Sequence, residues 1–380
     1  MKIASRLVSF DPAPGDRFRP ISTPIYQTAT FEQEFSDQFG EYDYTRSGNP
    51  TRSVVEKQIA SLENGTHGYC FSSGMAAITT ATKLLQNGDE ILADNDLYGG
   101  TCRLFTKVLK RTGICAKYAD ACDLENFERQ ITPKTKMIYV ESPTNPLLRV
   151  VDLRKLAAMA HAHDAVLCVD NSSMSPYLQN PLDLGADVVL HSGTKFLGGH
   201  HDVTAGSIVV KDKTLAEQIY FVQNAEGNAL APFDCYLLLR GMKTLKLRLD
   251  CQQKNAQAIA EYLSQHEAIK KVCYPGLKND PGYELQRSQA RGAGAVLSFT
   301  TGSVALSKAI AENAKLFRIT VSFGSVNSSI SVPGNMSHAS VPVELMAQRD
   351  LPKDLVRISV GIEDEEDLLA DLDRAIQSHR

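Results

Sequence analysis

The sequence predicts an α/β fold with a mostly parallel sheet covered by helices, followed by a smaller α/β unit. Between Thr51 and about Lys211, short apolar segments alternate with amphipathic helical segments, a pattern typical of parallel sheets. A shorter alternation begins after about residue 240, and a chain of 380 residues is long enough for two domains. We therefore expect an N-terminal arm over residues 1–50, a first domain over 51–240 and a C-terminal domain over 241–380.

The elements follow from local periodicity. The first fifty residues show little of it and are rich in Pro, Thr, Tyr and Phe, so we expect an irregular arm that lies on another surface. A long helical pattern over 240–264 predicts a helix that links the two domains. Helices are also expected over 304–314 and 365–376. Strands are expected over 69–72, 90–93, 137–141, 166–170, 188–191 and 207–210 in the first domain, and over 295–300 and 356–360 in the second.

The composition excludes several classes of protein. Forty Lys plus Arg against 44 Asp plus Glu give a net charge of −4 without a basic block, so neither nucleic acid nor an anionic membrane is expected as a partner. No apolar run approaches the roughly 20 residues of a membrane span. The eight cysteines have no Cys-x-x-Cys spacing, and the adjacent His200 and His201 would point apart on a strand, so we expect reduced thiols and no metal. A cytoplasmic enzyme acting on a small molecule is the class that remains.

Asp170 and Lys195 are the most informative residues. Each follows a short apolar run that predicts a buried strand, so both side chains should emerge at strand ends of one sheet, where α/β proteins bind ligands. A carboxylate there can keep a ring nitrogen protonated, and a lysine can form a Schiff base with an aldehyde. Pyridoxal 5′-phosphate needs these two contacts to stabilise a substrate carbanion. The sequence therefore predicts this cofactor, bound covalently to Lys195.

A phosphate site is predicted at the start of a helix. The segment 71–77 follows a strand and opens a helix of small residues, so the N–H groups of Gly74 and Met75 can bind a phosphate. Ser192 and Thr194 add two hydroxyl groups beside Lys195. The alternative for the first segment is ordinary helix capping. A Walker loop is excluded because the Gly-Thr-Lys segment lacks a glycine at the required spacing.

Three further residues are candidates for the same site. Tyr98 follows a strand on a flexible turn, where its ring can stack on the cofactor and its hydroxyl can move a proton; otherwise it is a half-buried core residue. Asn145 ends another strand and can hydrogen-bond the cofactor's phenolic oxygen, unless its segment is merely a proline-rich turn. Arg357 lies in an apolar strand and needs an anionic partner, either a substrate carboxylate or an internal Asp or Glu.

Seven motifs occur in order along nearly the whole chain. They are Tyr-Thr-Arg-Ser-Gly-Asn-Pro-Thr at 44–51, Ser-Gly-Met-Ala at 73–76, Tyr-Gly-Gly at 98–100, Glu-Ser-Pro-Thr-Asn-Pro at 141–146, Val-Asp-Asn at 169–171, Ser-Gly-Thr-Lys at 192–195 and Arg-Ile-Ser-Val-Gly-Ile-Glu at 357–363. Together they closely resemble the cysteine/methionine-metabolism family of fold-type-I pyridoxal-phosphate enzymes. The resemblance implies a fold-type-I architecture with a seven-stranded sheet, and makes 51–240 the cofactor-binding domain.

The resemblance also implies roles for the arm and for the substrate site. Tyr44 and Arg46 match the pair that reaches the cofactor phosphate of a neighbouring subunit, so at least a dimer, and typically a homotetramer of two dimers, is implied. Arg46 suits this task because its planar fork binds two oxygens at once. Arg357 and Ser322, together with Asn145, match the region that holds the substrate carboxylate.

Two positions indicate which reaction of the family is implied. Val321 stands where γ-cleaving and γ-synthesising members commonly carry a glutamate, and Gly100 stands where methionine-cleaving members carry a cysteine. The segments 221–235 and 321–327 are most similar to the plant-type branch that cleaves L-cystathionine by α,β-elimination to L-homocysteine, pyruvate and ammonia, a step of methionine biosynthesis. The alternatives are γ-elimination, γ-replacement synthesis of cystathionine, and a catalytically silent sensor of an amino acid or cofactor.

Overall fold

A seven-stranded sheet forms the centre of the first domain in the computed structural model, which describes residues 1–336 and 351–378. Its strands are β1 (His67–Phe71), β2 (Glu90–Asp94), β3 (Cys115–Ala119), β4 (Thr135–Glu141), β5 (Val166–Asp170), β6 (Val188–Ser192) and β7 (Gly206–Val210). The order is β1-β7-β6-β5-β4-β2-β3. Strand β7 runs antiparallel to both neighbours, and the other pairs are parallel. The expected mostly parallel seven-stranded sheet is confirmed.

Helices pack on the sheet and form the connections. They are α1 (Ile3–Val8), α2 (Pro50–Leu62), α3 (Gly74–Thr82), α4 (Gly99–Arg103), α5 (Leu124–Glu128), α6 (Leu153–Ala162), α7 (Ser175–Leu178), α8 (Lys213–Glu226), α9 (Pro232–Met242), α10 (Leu245–Gln265), α11 (Tyr283–Gln289), α12 (Val304–Asn313) and α13 (Glu365–Gln377). A π-helical turn covers Leu104–Val108, and 3₁₀ turns cover Leu109–Thr112, Pro181–Leu184 and Pro333–Asn335. Within the described ranges, no helix has both the length and the apolar character that crossing a membrane requires.

A second, smaller sheet follows. Its strands are β8 (Lys271–Cys273), β9 (Val296–Thr300), β10 (Arg318–Ile319), β11 (Ser329–Ser331) and β12 (Val356–Ser359), in the order β10-β11-β12-β9-β8. Three of its four pairings are antiparallel. Leu368, Leu372 and Ile376 of α13 fall on one helical face and are buried against this sheet. The expected smaller α/β unit is confirmed, whereas its boundary near residue 240 stays a prediction.

Three neighbouring strands of the large sheet position the candidate site. Strands β4, β5 and β6 are parallel, and Glu141 at the end of β4 lies opposite Asp170 at the end of β5. Their interiors are apolar on both faces, as expected for strands covered by helices on both sides. Leu167 and Val169 of β5 are fully buried. Polar side chains therefore first emerge where these strands end, at one edge of the sheet.

The structure differs from the expected elements in several places. The arm begins with a helix, α1, which buries Leu7. The edge strand β3 was not expected, because its sequence, Cys-Ala-Lys-Tyr-Ala, has no continuous apolar run. The helix expected over 240–264 is mostly α10, and its first three residues end α9. Arg248 of α10 joins the two helices, because its Nη2 donates to the carbonyl oxygen of Gly241 near the end of α9 at 2.8 Å.

Candidate active site

A cleft of about 810 Å³, partly open to solvent, lies at the edge where β4, β5 and β6 end. It is lined by nine of the predicted site residues: Gly74, Met75, Tyr98, Asn145, Asp170, Ser192, Thr194, Lys195 and Arg357. Ser322 lies beside it and contacts Lys195 directly. Segments that are almost 300 residues apart in the sequence therefore meet in one place.

Lys195 lies in the loop after β6, where the second domain covers it. Its Nζ donates to Ser322 Oγ at 2.7 Å and lies 4.9 Å from the centroid of the Phe323 ring. Gly324 has φ +88°, and a Cβ there would lie 2.7 Å from the nitrogen of Phe196, so this close approach requires glycine. Burial, followed by the charge of Arg357, lowers the pKa of Lys195 to about 8, while Asp170 opposes the shift. The amine is therefore partly neutral near pH 7 to 8.

Arg357 is 2% exposed and lies in the middle of the second sheet. Its Nη1 donates to Asn145 Oδ1 at 2.8 Å and its Nη2 donates to the carbonyl oxygen of Ser322 at 3.2 Å, while its buried Nε has no partner among the described residues. Burial lowers the pKa of Arg357 to about 10. No carboxylate in residues 1–336 or 351–378 forms an ion pair with it, so the internal salt bridge considered above is not observed there. A buried cation with an unpaired donor can bind an anion.

Asp170 presents its carboxylate to the same cleft. Its Oδ1 accepts a hydrogen bond from the nitrogen of Ser172 at 2.9 Å, and its Oδ2 lies 3.4 Å from the hydroxyl of Tyr139. Burial, followed by the charge of Asp170, raises the pKa of Tyr139 well above its ordinary value, so Tyr139 stays a neutral donor. The carboxylate of Asp170 can therefore pair with a protonated ring nitrogen.

The first turn of α3 faces the end of β6. Ser73 Oγ caps the helix by accepting from the nitrogen of Ala76 at 3.0 Å. A Cβ on Gly74 would lie 2.8 Å from Ser192 Cβ, so glycine allows the helix to approach the strand. The N–H groups of Gly74 and Met75 have no acceptor within the helix, since they belong to its first turn. With the hydroxyl groups at the end of β6, they form a set of donors suited to a phosphate.

Two predicted residues lie outside this cleft. Tyr44 is 44% exposed, and the guanidinium of Arg46 lies 5.5 Å from the centroid of its ring. Arg46 Nη1 donates to the carbonyl oxygen and to Oδ1 of Asn224, at 2.7 and 2.8 Å. The chain does not bring this pair to its own cleft.

Sequence reasoning assigned no role to several residues that line the cleft. Glu141 ends β4, Thr204 precedes β7, and Phe323 lies under both Lys195 and Arg357, 5.3 Å from the guanidinium carbon. Ser172 Oγ accepts from the nitrogen of Ser192 at 2.6 Å and joins the ends of β5 and β6. Glu141 stands in the motif at 141–146, and Phe323 lies in the segment 321–327. Glu141 could have been identified from its position at the end of a predicted strand. No local pattern in the sequence identifies Phe323.

The donors and acceptors of the cleft fit pyridoxal 5′-phosphate. The lysine amine of lowered pKa suits the aldehyde, and the carboxylate suits the ring nitrogen. The helix N-terminus with its adjacent hydroxyl groups suits the phosphate. The arginine, whose Nε has no partner among the described residues, suits the carboxylate of a bound amino acid. His200 Nδ1 contacts the carbonyl oxygen of Gly198 at 2.8 Å, and the described residues contain no group of three or more His, Cys, Asp or Glu side chains that could hold a metal ion.

Comparison with known proteins gives consistent results. A model of the family described as "Cys/Met metabolism PLP-dependent enzyme" matches residues 5–377. A chloroplastic cystathionine beta-lyase from Mimosa pudica is 55% identical over 363 residues, which cover 96% of this chain and 79% of the relative. A cystathionine beta-lyase from Neurospora crassa is 50% identical, with coverage of 95% and 79%.

Solved structures share the whole architecture. The crystal structure of cystathionine gamma-lyase from Lactobacillus plantarum complexed with L-serine superimposes with a TM-score of 0.97 at 42% identity, covering 100% of this chain and 99% of the other. The fold is therefore that of the fold-type-I enzymes.

Proposed function

This chain belongs to the Cys/Met metabolism PLP-dependent enzymes, and we propose that it cleaves L-cystathionine by α,β-elimination to L-homocysteine, pyruvate and ammonia. The observation that carries the choice of reaction is the identity of 50–55% with cystathionine beta-lyases over nearly the whole chain. The cleft supports it, because the apolar side chain of Val321 lines the cleft. The family resemblance implies a glutamate at this position in γ-cleaving members.

Pyridoxal 5′-phosphate, when bound, supplies an acceptor for the negative charge that develops at the substrate Cα. Lys195 would hold the cofactor's aldehyde through Nζ, and its amine would be free for proton transfer once an amino acid is bound. Its lowered pKa then lets the released amine take the Cα proton near neutral pH. Lys195 or Tyr98 returns a proton to the leaving sulfur.

Other side chains bind and orient. Arg357 holds the substrate carboxylate, helped by Asn145 and by the Ser322 region, all of which already contact one another. Asp170 pairs with the ring nitrogen. The donor set formed by Gly74, Met75, Ser192 and Thr194 binds the phosphate.

The proposal includes an assembly of at least two chains, and a homotetramer of two dimers as the complete form. Tyr44 and Arg46 lie at the surface, away from this chain's cleft, which supports a role at the cofactor phosphate of a second copy. We also propose a reducing, cytoplasmic environment. All eight cysteines are free thiols, and five of them, Cys70, Cys102, Cys168, Cys235 and Cys273, are buried in the structure.

The test is the identity of the keto acid that the purified protein releases from L-cystathionine. We expect pyruvate and homocysteine in equal amounts. A product mixture of 2-oxobutyrate and cysteine would contradict β-elimination and the argument from Val321. If neither keto acid appears, cystathionine is not the substrate.

A second candidate is γ-elimination from L-cystathionine. It is favoured by the similarity to the Lactobacillus plantarum cystathionine gamma-lyase, which shares the architecture over the whole chain. The cofactor contacts are the same in both candidates, so the keto acid distinguishes them.

A further inference from the structure

Glu141 is a buried carboxyl group with no role in the scheme above. It ends β4, is 5% exposed and lies opposite Asp170 across the strand pair. Within residues 1–336 and 351–378 no cation pairs with it; the charges that influence it, Asp170, Asp96 and Asp94, are all carboxylates. Burial and Asp170 raise the pKa of Glu141 well above its ordinary value. Burying a carboxyl group beside Asp170 lowers the stability of the fold, so a functional role would explain its presence.

The contact that Glu141 makes is with the main chain of Tyr98. Its Oε1 accepts a hydrogen bond from the nitrogen of Tyr98 at 2.9 Å, and this bond opposes the pKa shift. Tyr98 precedes α4 as its N-cap residue, and its side chain does not cap the helix. The main chain at this point is therefore attached to the sheet by an acceptor that belongs to β4.

The ring of Tyr98 depends on the same anchor. A Cβ on Gly100 would lie 2.3 Å from Tyr98 Cε1, so the ring folds over Gly100, the second residue of α4. The side chain is 37% exposed and lines the cleft. Because the residue is partly exposed, the position of its ring depends on how its main chain is held.

We propose that Glu141 is a positioning residue that holds the ring of Tyr98 in the cleft through the main-chain nitrogen of Tyr98. Glu141 thereby acts on the cofactor indirectly, by removing the entropy that ordering the ring would otherwise cost when the cofactor binds. The inference rests on the proposed function to the extent that Tyr98 packs against the bound cofactor.

The test is a double-mutant cycle with the apparent dissociation constant of pyridoxal 5′-phosphate as the readout, measured by visible absorbance and circular dichroism of the holoprotein on dilution. Glu141→Gln retains one oxygen acceptor, and we expect affinity to fall about three- to tenfold. Glu141→Ala leaves the Tyr98 nitrogen without a partner, and we expect a loss of about tenfold or more. In a Tyr98→Ala background, Glu141→Gln should have no further effect.

A purely structural role predicts a different result. Glu141→Gln would then weaken cofactor binding by the same factor with and without the Tyr98 ring, which would overturn the proposal, as would unchanged affinity in both glutamate variants. If Glu141→Ala does not fold, Glu141→Gln alone decides the question.

A matched control is Glu90→Gln, which alters a carboxylate at the opposite end of the same sheet, paired with Lys117 Nζ at 2.8 Å. Its affinity for the cofactor should stay within about twofold of the unmodified chain. The cycle measures cofactor binding alone, so it can succeed while L-cystathionine yields no pyruvate; that combination would refute the proposed reaction and leave the role of Glu141 standing.

Discussion

Burial and the charge of Arg357 favour the neutral amine of Lys195 more strongly than Asp170 favours its charged form. Burial and Arg357 bring its pKa from 10.5 to about 8. At pH 7 this leaves about a tenth of the amine neutral, against roughly 3 in 10,000 for an ordinary lysine. A neutral amine is the form that attacks an aldehyde, and also the form that accepts a proton from carbon. One local property thus serves both steps proposed for this residue.

The pH dependence follows with a definite sign. The neutral form dominates above the pKa, so the rate at which apoprotein captures the cofactor should rise with pH, pass its midpoint near pH 8 and level off at higher pH. Stopped-flow absorbance measures this rate. Replacing Arg357 by Met removes a nearby positive charge and should move the midpoint upwards. A midpoint near that of a free lysine in the unmodified protein would show that the burial of Lys195 does not act as described.

Among the site residues, the sequence could identify those that follow predicted strands. It could not identify those that a loop of the second domain contributes. Asp170 and Lys195 follow apolar runs, and the structure places both in the cleft. Phe323 comes from a loop of the second domain, and its contact with Lys195 depends on how the two sheets pack. No periodicity of the chain encodes that packing.

At the scale of elements, a buried polar cluster joins the ends of three segments behind the cleft. Glu63, which caps the C-terminal end of α2, has no exposed side-chain surface and accepts from His191 Nε2 at 2.6 Å. Asn171 Nδ2 and Asn180 Nδ2 also donate to its carboxylate, at 2.8 and 3.2 Å. Asn171 follows Asp170 and His191 precedes Ser192, so this cluster fixes both strand ends that carry site residues.

Removing the central carboxylate should be costly. Glu63→Ala leaves several buried donors without an acceptor, and we expect the free energy of unfolding to fall by about 3–5 kcal/mol, measured by denaturant titration. The matched control is Glu125→Ala, which removes one partner of an exposed ion pair with Arg129 and should change stability by less than about 1 kcal/mol. Similar losses of unfolding free energy in the two variants would mean that the buried cluster stabilises the fold no more than an exposed ion pair does.

Elements were predictable where burial imposes a pattern. The strands β4, β5 and β6 are apolar on both faces and were expected nearly to their ends. The short strands β8, β10 and β11 were not, because two or three residues give no periodicity and their pairing comes from the tertiary fold. The antiparallel course of β7 is likewise decided by its connections, not by its composition.

At the scale of the whole molecule, the arm is the feature that a single chain does not explain. Arg46 and Tyr44 are at the surface, and the arm exposes large apolar side chains, among them Phe18 and Ile21, which are 77% and 94% exposed. Such surfaces mark interaction sites. A second copy that receives Arg46 at its phosphate site would cover them.

Complementation between inactive variants tests this assembly. We expect Lys195→Ala and Arg46→Ala chains each to have little activity alone. A mixed dimer would combine Lys195 of one chain with Arg46 of the other in one of its two sites, so random co-assembly should restore about a quarter of full activity. Pyruvate release after co-expression is the measurement.

Controls make the result interpretable. Co-assembly of Lys195→Ala with the double variant Lys195→Ala/Arg46→Ala should restore nothing, since no chain then carries the lysine. If Arg46 acted within its own chain, the first mixture would stay inactive as well, and the proposed role of the arm would be wrong.

The central claim is that the lysine at the end of β6 carries the cofactor and that chemistry takes place in the cleft around it. The most direct measurement is reduction of the holoprotein with borohydride, which fixes the cofactor to whichever lysine holds it, followed by proteolysis and mass spectrometry. We predict that the modified peptide contains Lys195 and that pyruvate release from L-cystathionine is abolished in proportion to the modification. Modification of a different lysine, such as Lys211, with Lys195 intact, would contradict the account.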